Sequence, residues 1–188
     1  MKQTLLILFI LFFSVSGFSQ SYKSIERAER EMMAGNYDKA LRLLKRAEKQ
    51  DYGFCGNAWI EAVQNIDSLK LAIYKQKGDK KQLKKFLDEV NPVNEVFDDY
   101  YSKERIILAL ENFTEEELRS TILNALYSYK QDTAYFETNI ISLKLTRDYT
   151  LKLRIDVFKI MSLESDRKLS FNDALIEYFK QSEYYKML

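Results

Sequence analysis

The stretch Gly35-Asn36-Tyr37-Asp38-Lys39-Ala40-Leu41-Arg42-Leu43-Leu44-Lys45-Arg46-Ala47 constrains this chain more than any other. Glycine enters left-handed backbone without the penalty a Cβ imposes, so Gly35 is suited to end one helix. Asn36 is a favoured N-cap for the next. Past the turn, Ala40, Leu44 and Ala47 recur at helical spacing and make one face apolar. The alanines on that face leave room for a neighbouring helix to approach closely, and Tyr37 is placed to pack across the turn. Forty-three residues later, Gly78-Asp79 repeats the device. One proline and five glycines in 188 residues are too few for the turns of a β-sandwich, so the expected fold is all-α.

The N-terminus reads as an export signal. Lys2 precedes the apolar run Leu5–Phe13, and Gly17 and Ser19 sit three and one residues before a cut at Gln20. That run is well short of the roughly 18 apolar residues a membrane-spanning helix needs. Residues 1–19 are therefore assigned to a secretory signal peptide, and 20–188 to a single domain, periplasmic or extracellular. Lys+Arg number 29 and Asp+Glu 28, and loss of Lys2 leaves the mature chain formally neutral. Neutrality removes any global attraction to nucleic acid. Cys55 is the only cysteine, so no internal disulfide forms and the residue is read as a small apolar filler.

Apolar spacing predicts helices over about 22–34, 37–50 and 58–77. The third carries Trp59, Ala62, Ile66, Leu69 and Ile73 on one face, with Trp59 in the core. Asp79 caps a short helix bearing Leu83, Phe86, Leu87 and Val90. Asn91-Pro92 breaks the chain, and a helix with Phe97, Tyr101, Ile107 and Leu110 follows to about 112. Thr114-Glu115-Glu116-Glu117 is a capping box opening a helix with Leu118, Ile122, Ala125 and Tyr129. The last helix runs over 171–187 behind Ser170, with Tyr184-Tyr185 covering its end. Residues 139–160 carry two periodicities. Ile141, Leu143, Leu145 and then Leu151, Leu153, Ile155, Val157 alternate with polar residues, the pattern of a β-hairpin. On a helical wheel, Lys152, Asp156 and Lys159 share one outer side. The helical neighbours favour helix, with the hairpin as the alternative.

Gly35, Tyr37, Ala40, Leu44 and Ala47, with Ala28 before them, resemble the turn and second helix of a tetratricopeptide (TPR) repeat over residues 22–51. Tyr74, Gly78 and Leu87 match more sparsely in 64–92, and Phe171–Tyr178 is similar to a second helix without the turn glycine. The resemblance implies a TPR-like α-solenoid of stacked antiparallel helical hairpins, each burying an apolar face on the next. It also implies a protein-binding scaffold whose concave side is built from first helices. Tyr22, Ile25, Glu29 and Met32 would line that side, with Glu29 facing a basic group on the partner. The plainer reading packs Ile25 and Met32 into the core and leaves Glu29 solvated.

No histidine is present, which excludes Ser-His-Asp and Cys-His catalysis and the usual zinc ligand sets. No glycine-rich phosphate loop is present either. The expectation is a non-catalytic protein with no cofactor and no metal, bound to a protein partner. Two alternatives remain: a helical bundle enclosing a small apolar ligand or lipid, and a small periplasmic inhibitor or immunity protein. Lys75, Lys77, Lys80, Lys81, Lys84 and Lys85 form a run read as a solvated helix end, with a patch for an acidic partner or lipid headgroups as the functional alternative.

Overall fold

Gly35 and Gly78 both adopt positive φ, 76° and 64°, and both turns use the same pair of backbone bonds. The Gly35 amide donates to the Met32 carbonyl (2.9 Å) and the Asn36 amide to Glu31 (2.8 Å). At the second turn Gly78 donates to Lys75 (3.1 Å) and Asp79 to Tyr74 (3.2 Å). This is the Schellman arrangement, which satisfies carbonyls left over at a helix end. The computed structural model describes residues 22–52, 56–90, 100–130 and 139–188. The signal-peptide reading of 1–19, Cys55, the Asn91-Pro92 break and Phe97 lie outside those residues.

The described chain is mostly helical, with one two-stranded sheet. It divides into two compact units, Met1–Phe86 and Leu87–Leu188. The first holds α1 (22–33), α2 (Tyr37–Ala47), α3 (Gly56–Lys77) and the opening of α4 (Lys80–Glu89), within which the boundary falls. Its core gathers Ile25 and Ala28 of α1, Ala40, Leu43, Leu44 and Ala47 of α2, and Ala62, Ile66 and Ile73 of α3. The buried alanines are the small positions that sequence spacing singled out. Asp79 caps α4 by accepting from the Gln82 amide (3.1 Å). Asn36 precedes α2 but its side chain makes no cap; it donates to Glu31 Oε2 (2.9 Å), back toward the helix it follows.

The second unit holds α5 (Tyr100–Ala109), α6 (Glu115–Tyr127), β1 (Ile140–Lys144), β2 (Thr150–Arg154), α7 (Val157–Arg167), α8 (Phe171–Gln181) and α9 (Glu183–Lys186). The helical reading of 139–160 holds only for 157–160, which belong to α7, and is overturned over 140–154, where two strands pair antiparallel with Ile141 opposite Leu153 and Leu143 opposite Leu151. Those four point inward and are buried, while Ser142 and Lys144 face out. The period of two prevails because the hairpin lays one face on helices, β1 against α6 and β2 against α5. Asp156 then leaves the sheet and caps α7, accepting from the Lys159 amide (3.1 Å), rather than joining an outer helical stripe.

Three further expectations are corrected. The helix predicted over 171–187 breaks at Ser182, whose extended backbone and hydroxyl start α9. On α5 it is Ile106, not Ile107, that is buried, and Ile107 faces outward. Trp59 is 42% exposed rather than core, although Ala62 and Ile66 on the same face of α3 are buried. The Thr114–Glu117 capping box forms as read, with bonds of 3.2 and 2.8 Å, and Ser170 caps α8. The α7–α8 turn lacks glycine, yet Lys168 adopts φ 55° and Leu169 donates to Glu164 (3.2 Å). A lysine therefore holds the left-handed position that a glycine usually takes.

Candidate functional site

The α1–α2 hairpin is where the sequence placed a binding strip, and α1 turns most of that strip inward. Ile25 is 6% exposed among the core side chains, and Met32 packs against the same cluster. Tyr22 sits edge-on to Tyr52, with ring centroids 5.7 Å apart, and donates its hydroxyl to the Ala58 carbonyl (3.1 Å). Tyr52 in turn donates to the Ala47 carbonyl (2.8 Å), and burial pushes its phenol above the ordinary range. Of Tyr22, Ile25, Glu29 and Met32, only Glu29 is exposed. The spacing of 22, 25, 29 and 32 does define one helix face, and the structure gives most of that face to the core.

The outward face of α2 has a different character. Ala40, Leu43, Leu44 and Ala47 occupy the inner side, so Arg42, Lys45, Arg46 and Lys49 fall on the outer side and are exposed. The acids beside them are already engaged. Asp38 accepts from Lys77 of α3 (2.7 Å), which holds its carboxyl below the usual range and raises the lysine. Glu48 pairs with Lys70 of α3. Glu31, at the end of α1, takes Lys39 (2.6 Å) and Asn36 (2.9 Å) and is likewise depressed, the Lys39 bond first. None of Arg42, Lys45, Arg46 and Lys49 is in a salt bridge with a described residue.

This quartet is not among the residues singled out from sequence, where the denser lysine run at 75–85 stands out more. Its signal was legible: positions 42, 45, 46 and 49 follow the i, i+3, i+4, i+7 rule on the side opposite the apolar stripe. Within the lysine run, Lys77 is committed to Asp38, while Lys81 and Lys85 lie exposed on α4. The near-zero charge of the whole chain, formally +1, also conceals an asymmetry. Residues 22–86 carry 15 Lys and Arg against nine Asp and Glu, a formal +6. Residues 87–188 carry 13 against 19, a formal −6.

Large apolar side chains also reach the surface in each unit. Met33 (76%) and Trp59 stand out in the first, and Tyr127, Phe158 (85%) and Met161 in the second. Phe158 and Met161 are one turn apart on α7 and share a face. Inside the second unit, a cavity of about 10 Å³ lies among Leu126, Ile141, Leu153, Leu175, Phe179 and Tyr184. That is room for one water at most. Among the described residues no cluster of acids is arranged to hold a metal ion. None of their helices is long and apolar enough to cross a membrane. No protein-family model matches the sequence, and neither a curated protein nor a solved structure matches it.

Proposed function

We propose that this chain is an exported, non-catalytic protein-binding scaffold, periplasmic or extracellular, whose first unit is built from TPR-like helical hairpins. The observation that carries the reading is the identity of the two reversals at Gly35-Asn36 and Gly78-Asp79. The same φ sign and the same two backbone bonds join α1 to α2 and α3 to α4. Duplicated hairpins of this kind are units that stack and present side chains along a surface. Exposed Met33 and Trp59 on the same unit fit contact with a partner, since isolated tryptophan exposure costs solvation and tryptophan is a frequent interface anchor.

The test is crosslinking and affinity capture with the tagged protein in extract of its own cell envelope, read by mass spectrometry. The expected result is a protein partner whose capture falls in the Trp59→Ala or Glu29→Lys variant; both positions are exposed, so folding is retained. Loss of a tryptophan anchor costs about 2 kcal/mol or more of binding. Absence of any specific protein, together with a co-purifying lipid or small molecule, would overturn the scaffold reading.

A further inference from the structure

We infer that the outer face of α2 docks an acidic segment of a partner protein, with Arg42, Lys45, Arg46 and Lys49 as its cationic contacts. The inference rests on the scaffold reading and specifies the partner's chemistry. Arg42 and Arg46 are four residues apart on the exposed side of α2, so like charges stand one turn apart there, and Lys45 is followed by Lys49 in the turn past the helix end. Such pairs raise the free energy of a helix. Asp38, four residues before Arg42, offsets part of this at Arg42, and Lys45 and Arg46 sit in the last turn, at the negative end of the helix dipole. Lys77 and Lys70 of α3 pair with Asp38, at the start of α2, and with Glu48, just past its end, so these two acids are shared with α3 rather than left to the quartet alone. The result is four cations within eight consecutive residues, three on α2 and Lys49 in the turn just past its end, in a segment (22–86) of formal charge +6.

Charge complementarity selects an anionic occupant. The guanidinium fork of Arg42 and Arg46 matches carboxylates in a bidentate geometry that lysine does not offer. A membrane surface fits less well. Helices that lie in lipid headgroups pair their basic face with exposed large apolar side chains. The exposed large apolar residues described in this unit, Met33 and Trp59, are on α1 and α3, and none is on α2.

The experiment is fluorescence anisotropy of a labelled twelve-residue Asp/Glu peptide against the full-length mature protein at low and at physiological ionic strength. Vesicles containing phosphatidylglycerol and a Lys-rich peptide serve as comparisons. The acidic peptide is expected to bind, more weakly as salt rises, and Arg42→Glu/Arg46→Glu is expected to lower its affinity by about tenfold or more. Arg42→Gln/Arg46→Gln should give an intermediate loss, with circular dichroism unchanged in both. Lys81→Gln/Lys85→Gln should leave binding intact. No binding, an equal loss from the Lys81/Lys85 pair, or vesicles bound as tightly as the peptide would each overturn the inference. So would salt-sensitive self-association of the protein without peptide binding, which would give this face to a second copy. Should envelope capture return a partner that Arg42→Glu/Arg46→Glu retains in full, the scaffold reading stands and the α2 assignment falls.

Discussion

The guanidinium of Arg105 donates twice to the carbonyl of Leu87, from Nε at 3.0 Å and from Nη2 at 2.5 Å. Leu87 lies in the last turn of α4, where carbonyls have no partner in their own helix. Lys152 of β2 serves the next one, donating its ammonium to the Asp88 carbonyl (2.6 Å). Two cations thus close a helix end that has no glycine cap, and both favour the negative end of the helix dipole. Arg105→Met keeps the stem's packing and removes the donors. It is expected to cost about 2–3 kcal/mol in urea unfolding, since a buried carbonyl loses charged partners. Arg105→Lys should recover only part, because an ammonium lacks the fork.

The two glycine turns predict equal penalties. A Cβ at Gly35 or at Gly78 would meet nothing within 4 Å, so only the positive φ resists substitution. Gly35→Ala and Gly78→Ala should each cost about 1–2 kcal/mol. Lys168, with φ 55°, predicts the opposite sign: Lys168→Gly should stabilise by roughly 0.5–1 kcal/mol. Chemical denaturation of the three variants checks the set, and a markedly larger cost at one glycine would contradict the open space around it.

Ala40 is fully buried in the first unit's core beside Leu44 and Ala47. Ala40→Leu should therefore overpack the core and cost about 1–3 kcal/mol. Ala34→Leu, at an exposed position in the α1–α2 turn, should change stability by no more than about 0.5 kcal/mol. Thermal melts of the two variants separate close approach from a general intolerance of bulk.

Tyr149 links the stability of the second unit to alkaline pH. Burial first, then the carboxylates of Asp88 and Glu111, push its phenol from 10.0 up to about 12. Its ring packs edge-on to Phe113, with centroids 5.8 Å apart. The folded state holds the proton more tightly than the unfolded one, so this stabilisation is complete below the unfolded value and is lost as pH rises from 10.0 toward about 12. Tyr149→Phe should lose less stability than the parent protein across that alkaline window. Matched melts across the window provide the check, and identical curves would show that Tyr149 does not couple.

The candidate surface was only partly legible in the sequence. The 22, 25, 29, 32 spacing correctly defines one face of α1. Nothing in that spacing tells whether the face meets a partner or the protein's own core, and Ile25 and Met32 meet the core. Trp59 carries the same lesson: its place in the apolar series of α3 is real, yet that spacing does not fix its burial, and it stays at the surface while Ala62 and Ile66 are buried. The basic quartet was visible as a pattern. That its neighbouring acids are consumed by Lys70 and Lys77 is a relation between residues 22 and 39 positions apart, which no local window contains.

What the sequence by itself determined is the local chemistry. Gly35, Gly78, Asp79, Thr114 and Ser170 stop or start helices because backbone conformation and side-chain reach within three or four residues decide those ends. Tertiary structure decided the rest. Residues 139–160 satisfy both a helical and an alternating pattern, and only the packing of Ile141, Leu143, Leu151 and Leu153 onto helices makes the strands win. Lys168 takes a left-handed conformation that composition does not foretell. The charge of each unit, hidden in a neutral total, appears only once contacts divide the chain at Phe86, because a boundary drawn by packing is not written in the order of residues.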